Sequence, residues 1–179
     1  MQVTWSHCVL KVRDIEGMIA FYTDMLDFVV ADRGPLPIPG SPEIVFLSGR
    51  SSDHHQLAMT NTRGDENASS LEHNAFRVES LSDVRAMLEK VSKDPRVESF
   101  MPLTHGNAIS VYFSDPEGNG LEVFCDSPWH VKQPAAQGWD PTMSDEEVLA
   151  DVKAKFENDS EFRPMEEYRA AKAREFGEV

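Results

Sequence analysis

The sequence predicts an α+β protein: two tandem βαβββ modules whose curved mixed sheets form a cleft, followed by a C-terminal helical extension. Three observations predict it. First, the chain overlays on itself at an offset of 66 residues. HCVLKV (7–12) lies over HNAFRV (73–78), Phe46-Leu47-Ser48 over Tyr112-Phe113-Ser114, and Gln56-Leu57-Ala58 over Glu122-Val123-Phe124. Second, each copy reads as a strand, a helix and then three strands. Third, the texture changes after Asp126, where a Pro-rich segment precedes two helical patterns. The expected division is a domain over 1–126, with modules 1–65 and 66–126, and an extension over 127–179.

In the first module SHCVLKV alternates polar and apolar residues like a half-buried strand. Asp14 is the expected N-cap of a helix carrying Met18, Ile19, Tyr22, Met25 and Leu26 at helical spacing. DFVVADR, EIVFLSG and HQLAMT follow as strands, separated by turn-rich text such as GPLPIPGSP. In the second module HNAFRV is a strand, and Ser82 is the expected cap of a helix through Val84, Met87, Leu88 and Val91. VESFMPL, AISVYFSD and LEVFCD are the remaining strands, with DPEGNG a hairpin loop of turn formers. In the extension, Trp129 and Trp139 are expected to lie against the body. Ser144-Asp145-Glu146-Glu147 is a capping-box pattern opening one amphipathic helix through Phe156, and a second starts around Pro164. The extension is expected to be a packing or dimer-contact appendage, with a lid as the alternative.

Composition excludes several classes. Net charge is −14, spread as −9 over 1–126 and −5 beyond, which suits neither a nucleic-acid backbone nor an anionic membrane surface. No apolar run reaches the ~18 residues that read as a membrane span, and the N-terminus shows no signal-peptide pattern. Two cysteines, Cys8 and Cys125, are too few for a disulfide framework and suit a reducing, cytoplasmic location.

The repeat places His7 and His73 at matched positions on the first strand of each module. Glu122 sits inside an apolar strand, between Leu121 and Val123, where a carboxylate is costly unless paired or metal-bound. Two imidazoles and one carboxylate on one cleft make a facial triad with open positions, an arrangement that suits non-haem Fe(II). Gln56, matched to Glu122 by the offset, is expected to be either a donor behind the ligands or plain packing.

The run SHCVLKVRDIEGMIAFYTDMLDF resembles the opening module of the vicinal oxygen chelate superfamily, which includes glyoxalases, bleomycin-resistance proteins and type I extradiol dioxygenases. The run from His105 through Tyr112, Asp115, Pro116 and Gly118 to Glu122 is similar to the extradiol ring-cleavage signature. The pair His54-His55 before Gln56 also resembles those enzymes. Two positions depart from the pattern. Leu103 stands where the signature has a small, polar or β-branched residue, with consequences expected for His105 placement or pocket shape. Asp27 replaces a glycine after the first helix, where a left-handed cap is expected.

The resemblance implies His7, His73 and Glu122 as iron ligands and His55 as the acid–base residue beside the substrate. It implies His105 and Tyr112 as the substrate-side hydrogen-bonding pair. His54 is expected at the surface or behind His55, and His130 has no assigned role. The implied activity is Fe(II)-dependent extradiol (meta) cleavage of a catecholic ring by dioxygen, of the kind used in aromatic hydrocarbon catabolism, with Mn(II) the other possible ion. Expected partners are the catechol, dioxygen and further copies of the chain. The alternatives are a glyoxalase-type metal-dependent isomerase or lyase and a metal-free small-molecule binding protein of the bleomycin-resistance type.

Overall fold

A computed structural model describes residues 5–36, 39–64, 71 and 73–176. The chain divides into two units: Met1–Glu72 with Asp115–Asn119, and His73–Ser114 with Gly120–Val179. The expected module boundary at 65/66 lies outside the described residues.

The first unit runs β1 (Cys8–Lys11), α1 (Ile15–Leu26), β2 (Val29–Pro35), β3 (Glu43–Ser48) and β4 (Leu57–Thr60). Its sheet has the order β1-β4-β3-β2, with β1 parallel to β4 and the other pairs antiparallel. The α1 periodicity buries Met18, Phe21, Tyr22 and Met25, and the sheet contributes Leu10, Val45, Leu47, Leu57 and Met59 to the core. Asp14 caps α1 as expected, accepting from the Gly17 N–H, and Asp27 closes it at φ 55°, the left-handed cap. Asp tolerates that conformation through its short polar side chain. The hairpin loop Asp115–Asn119 belongs to this unit. The Tyr22 hydroxyl donates to Asp115 Oδ2 (3.1 Å), and the Glu117 carboxylate accepts from the Arg13 and Asp14 N–H groups and from Arg63 Nη1 (3.3 Å). Burial pushes the Asp115 carboxyl above its ordinary value, although Asn119 and Tyr22 donate to it.

The second unit repeats the plan: β5 (His73–Arg77), α2 (Leu81–Lys93), β6 (Phe100–Thr104), β7 (Ala108–Ser114) and β8 (Gly120–Asp126). Its sheet order is β5-β8-β7-β6, with β5 parallel to β8, and β10 (Gln137–Gly138) pairs along β6 at Leu103 and Thr104. Odd residues of β7 and β8 (Ile109, Val111, Phe113, Leu121, Val123, Cys125) are buried with Val84, Met87 and Val91 of α2. The even residues Ser110, Tyr112, Glu122 and Phe124 therefore take the opposite face. The α2 cap is Ser80, not Ser82: Ser80 forms a capping box with Asp83, and Ser82 lies inside the first turn. The box pattern S-x-x-D begins at Ser80, so the hydroxyl able to reach the third N–H is that of Ser80.

The extension stays with the second unit. β9 (Trp129–His130) pairs with β11 (Arg163–Pro164), and α3 (Asp145–Phe156) and α4 (Met165–Phe176) follow. Ser144 and Glu147 form the expected capping box. α3 buries Val148, Val152 and Phe156, whereas among the described residues of α4 the buried one is Met165 in its first turn. His130 has a structural role: it is buried and stacks on Tyr168 at 3.7 Å and 4°. Among the described residues no helix is long and apolar enough to cross a membrane.

Candidate functional site

In the second unit four of the six candidate residues converge. β5, β7 and β8 are in register so that Glu122 pairs with both Ala75 and Tyr112. Glu122 is 7% exposed, and the Ser110 hydroxyl donates to its Oε1 at 2.6 Å. Its Oε2 lies 3.4 Å from His73 Nε2. The His105 ring, just past the end of β6, places Nε2 at 2.9 Å from the Tyr112 hydroxyl and 4.0 Å from Glu122 Oε1. Its Nδ1 lies 2.7 Å from the Ala135 carbonyl oxygen. The rings of His73 and Tyr112 meet edge-on at 5.5 Å. Ser110 was missed from sequence, although its signal was present: a hydroxyl two residues before Tyr112, on the same strand face as Glu122. Leu103 pairs with Ser110 in the β6–β7 register, and the His105–Tyr112 bond forms beside it.

In the first unit His7, His54 and His55 cluster. The His7 and His55 rings are 4.3 Å apart, and His55 packs on Phe46 at 4.8 Å. His54 Nδ1 lies 3.0 Å from His55 Nδ1, while the exposed His54 Nε2 is 4.0 Å from Asp32 Oδ2. Burial, then His7 and His54, lower the His55 pKa below the ordinary imidazole value, which keeps the basic form available into acid. A cavity of about 460 Å³ opens beside His54, with Val29 and Ala31 as apolar wall and Arg50 and Asp53 as polar wall.

Gln56 does not stand where Glu122 stands. In the second unit Tyr112 pairs with Glu122, and the matched Phe46 of the first unit pairs with Ala58. The parallel pairs agree: Ala75 opposes Glu122, and the matched Val9 opposes Ala58. The span from Phe46 to Ala58 is two residues longer than that from Tyr112 to Glu122, so a constant offset slips at this strand. Gln56 and His55 precede β4, where strict alternation of faces does not apply, and Gln56 Oε1 accepts from the Gly49 N–H at 3.0 Å.

The donor chemistry fits a divalent ion in part. His73 Nε2 and Glu122 Oε2 supply one imidazole nitrogen and one buried carboxylate oxygen, the pairing that first-row metals take. Ser110 orients the carboxylate as an outer hydrogen-bond partner does. His7 belongs to the first unit. Among the described residues no group of three or more His, Cys, Asp or Glu side chains is arranged to hold a metal ion.

Curated relatives include metapyrocatechase of Pseudomonas sp. (strain CF600), 26% identical over 139 residues, covering 76% of this chain and 44% of that protein. Biphenyl-2,3-diol 1,2-dioxygenase 2 of Rhodococcus globerulus is 27% identical over 128 residues, covering 69% and 63%. The chain thus spans between 44% and 63% of the length of these relatives. Among solved structures, a glyoxylase/bleomycin resistance protein/dioxygenase domain from Frankia sp. EAN1pec aligns with a TM-score of 0.58 at 22% identity, over 70% of this chain and 93% of that one. The fosfomycin resistance protein FosX of Mesorhizobium loti aligns with a TM-score of 0.52 at 22% identity, over 69% and 91%. These two likenesses establish the fold. The model of the glyoxalase/bleomycin resistance protein/dioxygenase superfamily matches residues 4–123, two thirds of the sequence, and the chain belongs to that superfamily.

Proposed function

We propose that this chain is an Fe(II)-dependent extradiol dioxygenase acting on a catecholic ring, with both atoms of dioxygen entering the product. The observation that carries the reading is the His105–Tyr112 hydrogen bond beside the buried Glu122, on the sheet face that also holds His73. The relatives named as dioxygenases support the reaction class. Met101 and Leu103, register partners of Tyr112 and Ser110, give that face an apolar side suited to an aromatic ligand.

In this reading His7, His73 and Glu122 would hold the ion, with Mn(II) the alternative occupant. When bound, Fe(II) would supply the redox chemistry that lets a diol react with dioxygen. The protein's own groups do the proton work. His55, held in its neutral form by burial and its neighbouring histidines, takes a proton from the diol and returns it as the ring opens. Tyr112 and His105 form the hydrogen-bonding pair that orients the substrate oxygens. Burial of Glu122 keeps water from competing for its carboxylate.

The isomerase reading needs a fourth protein ligand at the place matched to Glu122. That place is Ala58, and the Gln56 oxygen is engaged by Gly49, so the dioxygenase reading is favoured. The test is to load the protein anaerobically with Fe(II), add a panel of monocyclic, biaryl and fused catechols, and follow oxygen uptake on admitting air. The account expects uptake with at least one catechol and its loss in Glu122→Ala. Uptake by none of them, or undiminished uptake and metal content in Glu122→Ala, contradicts it.

A further inference from the structure

We propose that residues 131–139 of the extension are a positioning element of the active site, which fixes His105 as the Nδ1–H tautomer so that Nε2 accepts from Tyr112. The inference rests on the reading of His105 and Tyr112 as the substrate-side pair. These residues lie beyond 123, where the superfamily match ends.

The argument starts at the ring. His105 Nδ1 is 2.7 Å from the Ala135 carbonyl oxygen. A backbone carbonyl has no hydrogen to give, so the hydrogen between them is carried by Nδ1. In the neutral imidazole Nε2 then bears the lone pair, and the Tyr112 hydroxyl at 2.9 Å donates to it. An imidazole free in water favours the other tautomer, in which Nε2–H would compete with the tyrosyl hydrogen. The Ala135 contact removes that competition.

The carbonyl is itself held in place. Gln133 Oε1 accepts from the Ala135 N–H (3.1 Å), and Gln133 Nε2 donates to the His105 carbonyl (2.8 Å). One glutamine thus joins the backbone of the segment to the backbone of the histidine that the segment orients. The next residue, Gly106, has φ +77°, and a Cβ there would lie 2.4 Å from Val131 Cγ2 and 3.1 Å from the Phe156 ring. The extension therefore presses on the turn that carries His105. Trp139 Nε1 donates to the Ser110 carbonyl (2.8 Å), fixing β7 at the residue whose hydroxyl holds Glu122. Gln133, Ala135 and Trp139 touch no reacting atom in this reading; they act through His105 and Ser110.

The experiment uses this 179-residue chain, labelled with ¹⁵N-histidine, metal-free for the spectra and loaded with Fe(II) for turnover. Long-range ¹H–¹⁵N correlation reads the protonation of each ring nitrogen, and His105→Gln identifies the His105 signals by their loss. The expected result, read on the neutral ring, is a protonated Nδ1 and an unprotonated Nε2. Gln133→Ala should populate the Nε2–H form and lower kcat on a catechol about tenfold with KM unchanged, the usual loss for an outer hydrogen-bond partner. Arg169→Ala breaks a tail ion pair with Asp126 elsewhere and should change neither. A wild-type His105 in the Nε2–H form overturns the proposal without any variant. So does a Gln133→Ala protein with wild-type tautomer and kcat. Failure of the wild-type protein to turn over any catechol overturns the dioxygenase reading instead, and the tautomer measurement still decides the role of the segment.

Discussion

Replacing Ser110 by alanine isolates the support behind the proposed metal ligand Glu122. Ser110 is fully buried and gives its only hydroxyl hydrogen to Glu122 Oε1 at 2.6 Å, a short hydrogen bond to a carboxylate. Alanine fits the same backbone, leaves the Trp139 bond to the Ser110 carbonyl untouched, and deletes one oxygen. A hydrogen bond to a charged group contributes about 1.5–3 kcal/mol. For a chain of this size each kcal/mol moves Tm by roughly 2–4 °C, so the metal-free variant should melt on the order of 3–12 °C lower. With the carboxylate released from its orienting partner, Fe(II) affinity should fall about 10–100-fold. Thermal denaturation and anaerobic Fe(II) titration measure the two effects. A double-mutant cycle with Glu122→Gln separates the pairwise term from unrelated packing loss. Wild-type Fe(II) affinity in Ser110→Ala, together with zero coupling in the cycle, would refute the reasoning.

Further outcomes follow from the same geometry. His55→Ala should leave iron and catechol binding nearly intact and lower turnover on the order of 10²–10⁴-fold, checked by steady-state kinetics beside metal analysis; a normal rate across the pH range shows that another group moves the proton. Gly106→Ala forces a side chain into a left-handed backbone and into Val131, at a cost of about 1–2 kcal/mol for the conformation and 1–3 for overpacking, read by chemical denaturation. Burial, then Asp126, pushes the Cys125 thiol from 9.0 up to about 11, so the folded state keeps a proton that the unfolded state loses first. Stability from this group is full below pH 9 and is lost between about 9 and about 11, a decline that Cys125→Ala should flatten in Tm against pH. Deleting 140–179 uncovers the surface that α3 covers with Val148, Val152 and Phe156, and should lower Tm and solubility; unchanged melting, mass and turnover would show the segment to be dispensable.

Local chemistry made most elements legible. Asp14 and the Ser144–Glu147 box announce their caps because each is a short-range contact between a side chain and nearby backbone, and Asp27 marks a left-handed cap whose backbone N–H donates to the Tyr22 carbonyl. The strand alternation of AISVYFS and LEVFCD placed Tyr112 and Glu122 on one face. Ser80 was passed over for Ser82 because two serines lie within one turn and only geometry selects the hydroxyl that reaches Asp83. The equation of Gln56 with Glu122 slipped because a constant offset cannot register a connection two residues longer in one module. The Ala135 contact to His105 was out of reach of any pattern: a backbone carbonyl 30 residues away carries no side-chain identity.

The most direct test of the dioxygenase reading is the fate of labelled dioxygen. Protein loaded anaerobically with Fe(II), mixed with a catechol that supports oxygen uptake and exposed to ¹⁸O₂, should give a ring-opened product carrying two ¹⁸O atoms, with the break beside the diol rather than between its hydroxyls. A product opened between the hydroxyls, or one that retains only unlabelled oxygen, contradicts the account.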